Sequence, residues 1–489
     1  MSDLSLDVFR AAMRRASERI ATYLETIESR PVRPPIEPGT VAAALPDAPP
    51  IEAEALDVIL DDYERLIEPN VTHWNHPGFL AYFSSTGSMP GILGETLAAG
   101  LSVNGMLWRT APAAVELELR VCRWLRDMVG LPADFHGHIN DTASISTMLS
   151  LAVARARAVP DAREAGLTGR NLPKLLVYTS EQAHSSVDKA SITLGLGLDQ
   201  VRHVPTDDGF RMNPDALARM IAEDRAAGHQ PIAVVATIGT TSTTSIDPVE
   251  AVADIADAEG LWFHVDAAWA GSAAVCADYR HLFAGWERAD SVVINPHKWL
   301  FVPMDCSVLF VRDVDALRAA FALVPEYLTT AERATTVDLM DFGPQLGRRF
   351  RALKLWFVIR AFGVEGLAAV IREHIRLGQG IAARVDSDPD FERSAPTPFS
   401  TVCFRMIAPD LDASTLDRVN ERLLDAVNAD GRIFLSHTKL HDRYVLRFSV
   451  SNLRTEARHV DMAWELIREH ATRLIGSSRQ GAAIQSEEP

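Results

Sequence analysis

Cysteine is scarce in this chain of 489 residues: the four present, Cys122, Cys276, Cys306 and Cys403, are widely spaced and form no Cys-x-x-Cys pair. That spacing excludes a disulfide framework and a zinc ribbon and fits the reducing cytoplasm, and no metal site is expected. Positive charge is also in short supply, with 48 Lys and Arg against 65 Asp and Glu for a net charge of −17. Without a dense basic stripe, neither nucleic acid nor an anionic membrane is an expected partner. No apolar run reaches membrane length, the N-terminus shows no leader pattern, and Gly-Lys-Ser/Thr of a nucleotide-binding loop does not occur. There is no internal repeat. What is present is ordinary globular composition, 47% hydrophobic and 23% charged, in a chain long enough for one large domain with smaller lobes.

In chain order, Leu4, Val8, Met13, Ile20, Leu24 and Ile27 recur among charges at helical spacing, which predicts an amphipathic arm over residues 4 to 28. Seven prolines between Pro31 and Pro50 then favour an extended tether. A second helix is expected near 52 to 69, ahead of the aromatic stretch His73 to Phe83. From residue 88, apolar runs at Lys174–Tyr178, Ile232–Thr237, Leu261–Val265, Ser291–Ile294 and Ser307–Val311 alternate with helical segments at 144–158, 184–192, 214–227 and 247–259. That alternation predicts a largely parallel sheet covered on both faces. Helix is expected from Leu346 to about Ala383. Beyond it a strand at 401–405, a helix at 414–429, a strand pair at 432–436 and 443–449 and a helix at 455–474 suggest a smaller α+β lobe.

Four segments carry chemistry-bearing residues at expected strand ends, where loops of an α/β sheet converge on ligands. Ser291 to Ile294 runs into Asn295-Pro296-His297-Lys298-Trp299; a lysine held there is partly desolvated, its pKa falls, and its amine can attack a carbonyl to form a Schiff base. Alone, it also fits a snorkelling surface side chain. Leu261 to Val265 delivers Asp266, a carboxylate needing a cation or a protonated ring nitrogen, with Ala267 and Ala268 small enough for a flat ring to lie alongside. A cap role serves Asp266 equally well. The run His136 to Thr147 reads as a loop leading into a helix whose start, at Thr142, Ala143 and Ser144, offers N–H groups and small side chains to an anion. His184 opens another helix after a strand, and Thr237 to Thr241 ends a strand in a hydroxylated turn. Together, a lysine, an aspartate, an anion-binding helix start and a stackable histidine meet the requirements for holding pyridoxal phosphate.

The chain resembles the group II pyridoxal-phosphate decarboxylases, in the aromatic-L-amino-acid decarboxylase branch, over nearly its whole length. The stretches that carry the resemblance are His73-Trp74 to Phe83, Glu116-Leu117-Glu118, Gln182 to Ser186, Ala236 to Thr241, His264 to Gly271, Asn295 to Trp299 and Leu346 to Arg351. It implies an α/β enzyme of fold type I, with an N-terminal arm and linker at 1–87, a large cofactor-binding domain at 88–370, a small α+β domain at 371–476 and a flexible tail at 477–489. By the same resemblance Lys298 attaches the cofactor, Asp266 binds its ring nitrogen, His184 stacks on the ring and Ala268 backs it. Ala143, Ser144, Asn295 and His297 would surround the phosphate, with Thr241 nearby. A homodimer with the active site at the interface is also implied.

The expected reaction is decarboxylation of an L-amino acid, aromatic by resemblance, in a pocket drawing on Trp74, Tyr82, Phe83, Met106, Trp108 and Gly347. Two departures stand out. Asp141 puts an acid beside the anion site, in Asp141-Thr142-Ala143-Ser144 where the family shows Gly-Ser-Ala-Ser. Alignment backwards from Gly347 through the segment Thr329–Gln345 puts Leu339 where the family has a proton-donating tyrosine. That substitution raises the alternative of an aldehyde product formed with dioxygen. A transaminase on the same fold would use the same lysine and aspartate, and a cofactor-binding protein retired from catalysis would retain the same phosphate cup.

Overall fold

The computed structural model describes residues 3–323, 332 and 335–485. Two compact units divide the chain: one within Met1–Ser84, Arg405–Phe448 and Asn452–Pro489, the other comprising Ser85–Phe404 and Ser449–Ser451. The first unit opens with α1 (Leu6–Glu25), capped by the Ser5 hydroxyl, which accepts the Val8 N–H. Its residues Arg15 and Arg19 reach across to Asp57, Asp61, Glu64 and Glu68. After the proline-rich stretch come a short α2 (Thr40–Ala44) and α3 (Leu56–Asp62), which passes into a π turn and a 3-10 turn ending at Asn70.

The second unit carries the helices α4 (Met89–Leu101), α5 (Pro112–Val129), α6 (Ala143–Ala158), α7 (Ala162–Ala165), α8 (Ser186–Thr193), α9 (Pro214–Ala226), α10 (Val249–Glu259), α11 (Val314–Phe321) and α12 (Ala352–Ser387), the last interrupted at Gly363. Its strands are β1 (His136–Asn140), β2 (Leu175–Ser180), β3 (Val201–Val204), β4 (Gln230–Thr237), β5 (Trp262–Asp266), β6 (Ser291–Ile294) and β7 (Ser307–Val311), arranged in the order β1-β7-β6-β5-β4-β2-β3. The pairs from β3 to β6 are parallel, whereas β7 runs antiparallel to both β6 and β1. The short β8 (Phe391–Arg393) and β9 (Thr401–Met406) follow, and the chain leaves the second unit within β9. The first unit is completed by α13 (Ala413–Asp430), the hairpin of β10 (Ser436–Leu440) and β11 (Arg443–Ser449), and α14 (Ala457–Gln485). Residues 486–489 of the expected tail lie outside the described residues. Among the described residues no helix is long and apolar enough to cross a membrane.

Two local expectations are corrected. His136 to Asn140, read as a loop, is strand β1; its polar sequence has no period, and it is extended because each residue from His136 to Asn140 pairs with Val311 to Ser307 of β7. The strand read at 432–436 begins only at Ser436. Its earlier residues are taken by another partner, for Phe434 donates to the Gly78 carbonyl at 2.9 Å and accepts the Leu80 N–H at 2.9 Å. Strands β3 and β8, of four and three residues, are too short to show a pattern in sequence.

Helix α6 is buried nearly all round, and hydroxyls fasten it to the sheet. Ser146 shares hydrogen bonds with Asn140 (3.2 Å) and Ser307 (3.0 Å), while Ser150 meets Ser291 at 2.8 Å and accepts the Trp262 indole N–H at 2.8 Å. Ser291 in turn meets His264 Nδ1 at 2.9 Å, and burial pushes that imidazole down to about 4. This layer sets the height of the α6 N-terminus above the strand ends.

The close fit of β1 depends on Gly137, where a Cβ would lie 2.6 Å from the Cys122 Cβ on α5 and 2.9 Å from the Phe310 ring on β7. Gly137→Ala is expected to destabilise the protein by about 1–3 kcal/mol, the usual cost of overpacking a close-packed core. Urea unfolding measures it, and an unchanged midpoint would show that α5 and β7 can separate freely here.

Candidate active site

The parallel pair β5–β6 brings two of the singled-out residues to adjacent strand ends. Asp266 is the last residue of β5, aligned with Val293 of β6. Beyond the strands the backbone pairing continues, with Ala267 N–H donating to Val293 O (3.1 Å) and Asn295 N–H to Ala268 O (2.9 Å). Lys298 follows in a tight turn in which its N–H bonds the Asn295 carbonyl at 2.9 Å. The residues just beyond, Trp269 and Trp299, stack face to face with centroids 4.2 Å apart and planes 6° apart. The Trp299 indole N–H also donates to His374 Nδ1 at 2.9 Å. Both loops are thus held by backbone bonds and by one buried aromatic contact.

Electrostatics follow from this placement. Burial pushes the Lys298 ammonium below the ordinary lysine range, and the Asp266 carboxylate opposes that shift. Asp266 is itself buried, and its Oδ1 accepts the Ala268 N–H at 3.0 Å. His184 stands in the turn between β2 and α8; desolvation pulls its pKa below the usual imidazole value, with Asp266 raising it and Lys298 lowering it. Its Nδ1 accepts the Ser186 N–H at 3.1 Å, so the neutral ring carries its proton on Nε2. His297 is buried and driven down to about 3, chiefly by desolvation and then by Lys298. Cys306 grips it from both sides, donating its N–H to Nδ1 at 2.9 Å and accepting the His297 N–H at 3.2 Å.

Ala143, the first residue of α6, packs against Ala268 and Val293 in one small apolar cluster. Its neighbour Ser144 is half-buried, and the helix cap at Thr142 makes no side-chain capping bond. Thr241 lies exposed in the turn after β4. Around these strand ends several buried polar atoms lack a hydrogen-bond partner among the described residues: Asn295 Oδ1, Thr147 Oγ1, Ser180 Oγ and Thr237 Oγ1. Orphaned buried groups are costly unless a ligand or water meets them. An uncapped helix start, two alanines and a desolvated lysine fit a flat, phosphorylated aldehyde such as pyridoxal phosphate.

Reading the sequence alone missed the polar networks beneath this site, whose cations Arg348, Arg351 and Lys354 are buried in the second unit. Arg348 donates to Glu118 (2.6 Å), to the Ile139 carbonyl (2.9 Å) and to His138 Nε2 (2.9 Å), and burial holds that histidine well below its usual pKa, hence neutral and able to accept. Lys354, fully buried, lies 2.6 Å from Glu95 and 3.8 Å from Asp305, which Arg351 also binds through two 3.0 Å bonds. Asp305 directly precedes Cys306, so this network braces the loop that grips His297. In the sequence these groups were marked only by the resemblance, Glu118 within Glu116-Leu117-Glu118 and Arg348 and Arg351 within Leu346 to Arg351, with no role attached to them.

The expected substrate pocket divides between the units. Trp74, Tyr82 and Phe83 belong to the first unit, where Trp74 packs on Phe79 (4.4 Å) and Tyr82 (6.0 Å) and Phe83 lies under Arg447. Met106, Trp108 and Gly347 belong to the second. There Met106 packs with Leu107 and Met340, the Trp108 indole donates to Glu116 at 2.8 Å, and Gly347 faces the Asn104 amide. Leu339 is corrected outright. It is 1% exposed and packs into the main apolar core with Leu149, Leu317 and Phe342, so it faces no ligand.

The family model described as the pyridoxal-dependent decarboxylase conserved domain matches residues 38–407. Phenylacetaldehyde synthase of Arabidopsis thaliana is 41% identical over 467 residues, covering 93% of this chain and 94% of that protein. Aromatic-L-amino-acid decarboxylase of Bos taurus is 40% identical over 484 residues, 96% of each chain. The crystal structure of Oryza sativa TDC with PLP and tryptamine superposes with a TM-score of 0.93 at 36% identity, covering 97% of this chain and 99% of that one. By fold, by sequence over almost its full length and by the chemistry of its strand ends, this chain belongs to the pyridoxal-dependent decarboxylases.

Proposed function

We propose that the protein decarboxylates an aromatic L-amino acid to its amine and carbon dioxide, with Lys298 attaching the cofactor through its aldehyde. The observation that carries this reading is the pairing of a desolvated Lys298 with Asp266 at adjacent strand ends, beside alanines that leave room for a flat ring. Pyridoxal phosphate, when bound, supplies a ring that accepts the electrons of the broken bond between the α-carbon and its carboxylate. Burial lowers the basicity of Lys298 and so favours the neutral amine that acts as nucleophile. Asp266 holds a proton on the ring nitrogen and so maintains the pull on those electrons. His184 covers the ring, and Ala143, Ser144, Asn295 and His297 hold the phosphate end, with Thr241 close by. The aromatic class is supported by the relatives, which include an aromatic-L-amino-acid decarboxylase, and by the partly exposed apolar side chains of Trp108 and Met106.

The product depends on a proton reaching the α-carbon after the carboxylate leaves. Leu339 is sealed in the core and has no proton to give. The sole tyrosine between Tyr279 and Tyr444 is Tyr327, which lies outside the described residues; its phenol is assigned here as the donor. A second reading, oxidation by dioxygen to an aldehyde, is favoured by the 41% identity to phenylacetaldehyde synthase. The protein is further assigned as a homodimer. Two apolar rows support this: Leu6, Phe9, Met13 and Ile20 on α1, and Met89, Leu93, Leu97 and Leu101 on α4, the latter at four-residue spacing and 47–63% exposed. Four free, buried cysteines suit a cytoplasmic location.

Borohydride treatment of the yellow holoenzyme is expected to fix the cofactor on the single peptide containing Lys298, and Asp266→Asn to cut turnover by about 10² or more with the fold intact. A label on another lysine, or normal turnover in the variant, would refute these roles.

Incubation with tryptophan, tyrosine, phenylalanine and their hydroxylated analogues, following carbon dioxide, amine, aldehyde and oxygen uptake, tests the reaction. Amine should match carbon dioxide in the natural protein, whereas Tyr327→Phe should shift products toward aldehyde and peroxide. Aldehyde from the natural protein would favour the second reading, and no carbon dioxide from any of these substrates would remove the aromatic assignment.

Light scattering at micromolar concentration should give twice the chain mass, and deletion of residues 1–30 should produce monomers or aggregates. A monomeric full-length protein would defeat the dimer.

A further inference from the structure

Asp141, between β1 and α6, has a side chain with no part in the proposed chemistry. Its Oδ1 accepts the Thr142 N–H at 2.6 Å and the Thr142 hydroxyl at 3.2 Å. Thr142 has the extended backbone of a helix cap (φ −135°, ψ 160°), yet its hydroxyl makes no capping bond to α6. The hydroxyl is turned to Asp141 instead. A carboxylate therefore already engages an N–H and an O–H at the helix start, donor types that a phosphate monoester would use.

Two observations bear on what this helix start can hold. Asn295, 2% exposed, has a side-chain amide whose Oδ1 is unpartnered, so nothing holds the amide in that orientation and, turned over, it offers N–H groups to an anion; its backbone is bonded to Ala268, which packs against Ala143 at the start of α6. The cation that senses Asp141 is Arg351, but both its bonds go to Asp305. No ion pair neutralises Asp141 among the described residues, so its charge stays available to repel another.

We propose that Asp141 is a built-in competitor of the cofactor's phosphate: it holds Thr142 when the cofactor is away, must release it when the cofactor binds, and keeps the cofactor exchangeable by like-charge repulsion. This rests on the reading that α6 receives the phosphate. An enzyme held in this way gains and loses its cofactor as the surrounding concentration changes, and binds it more tightly when salt screens the repulsion.

The test uses the full-length protein stripped of cofactor and titrated, by tryptophan fluorescence quenching, with pyridoxal phosphate and separately with pyridoxal, which lacks the phosphate. Asp141→Asn keeps the shape and removes the charge; it should lower the dissociation constant for pyridoxal phosphate roughly tenfold or more at low salt. The gain should shrink in high salt and be absent for pyridoxal, and inorganic phosphate should compete better in the variant. Asp141→Gly should behave alike. Ser144→Asp, which adds a carboxylate at the helix start, should weaken pyridoxal phosphate but not pyridoxal. If Ser144→Asp weakens binding while both Asp141 variants bind pyridoxal phosphate no more tightly than the natural protein, the competitor role is wrong and the phosphate site stands. An equal gain for pyridoxal would also overturn it, because Asp141 would then act on the ring. If Ser144→Asp leaves pyridoxal phosphate binding unchanged, the phosphate reading fails and the competitor role fails with it.

Discussion

The stack of Trp269 on Trp299 is the contact on which the site depends. These residues immediately follow Ala268 and Lys298, so their fixed separation fixes the loops that carry the reactive groups. Aromatic pairs of this kind add about 0.5–1.5 kcal/mol beyond the area they bury. That is modest, but it acts just past the last backbone bond between the two loops, from Asn295 to Ala268, and so extends their pairing to the residues beside Lys298. The bond from Trp299 to His374 then ties the same loop to α12. Lys298 and Asp266 are consequently held together in a desolvated setting, which the lysine tolerates by shifting toward its neutral form.

Beneath this contact lies an interior more polar than the composition suggests. Serines of α6 meet serines of β6 and β7, and buried cations at Arg348, Arg351 and Lys354 are matched by Glu118, Asp305 and Glu95. Such pairs gain little over apolar packing while intact, but breaking one leaves an uncompensated buried charge costing about 3–5 kcal/mol. Their effect is to make positions unique rather than merely stable. One network holds β1 to the segment before α12, and the other holds the loop around His297.

Depressed basicity and unsatisfied polar atoms coincide at the strand ends. The same burial that frees the Lys298 amine keeps His297 and His264 neutral. Asp141 is the exception, a carboxylate with no ion pair among the described residues, at the start of α6 where the phosphate site is proposed. A site that binds an anion against such a charge balances affinity against release.

By itself the sequence determined the elements whose burial is two-sided or strongly periodic. The runs that became β4 to β7 and helices such as α6, α9 and α10 were legible within two or three residues, because apolar period and punctuation by Gly, Pro and Asn are local properties. Lys298, Asp266, Ala143 and His184 were legible for the same reason: a reactive residue directly after an apolar run must lie at a strand end or a helix start. Only tertiary structure decided the rest. His136–Asn140 is a strand solely through its pairing with β7, and Phe434 left the expected hairpin because Gly78 and Leu80 offered it bonds. The roles of Lys354 and Arg348 became visible only where their acidic partners, distant in the chain, close around them. Leu339, placed by counting through a variable segment, proved to be core, because counting preserves order along the chain but carries no information about which way a side chain faces.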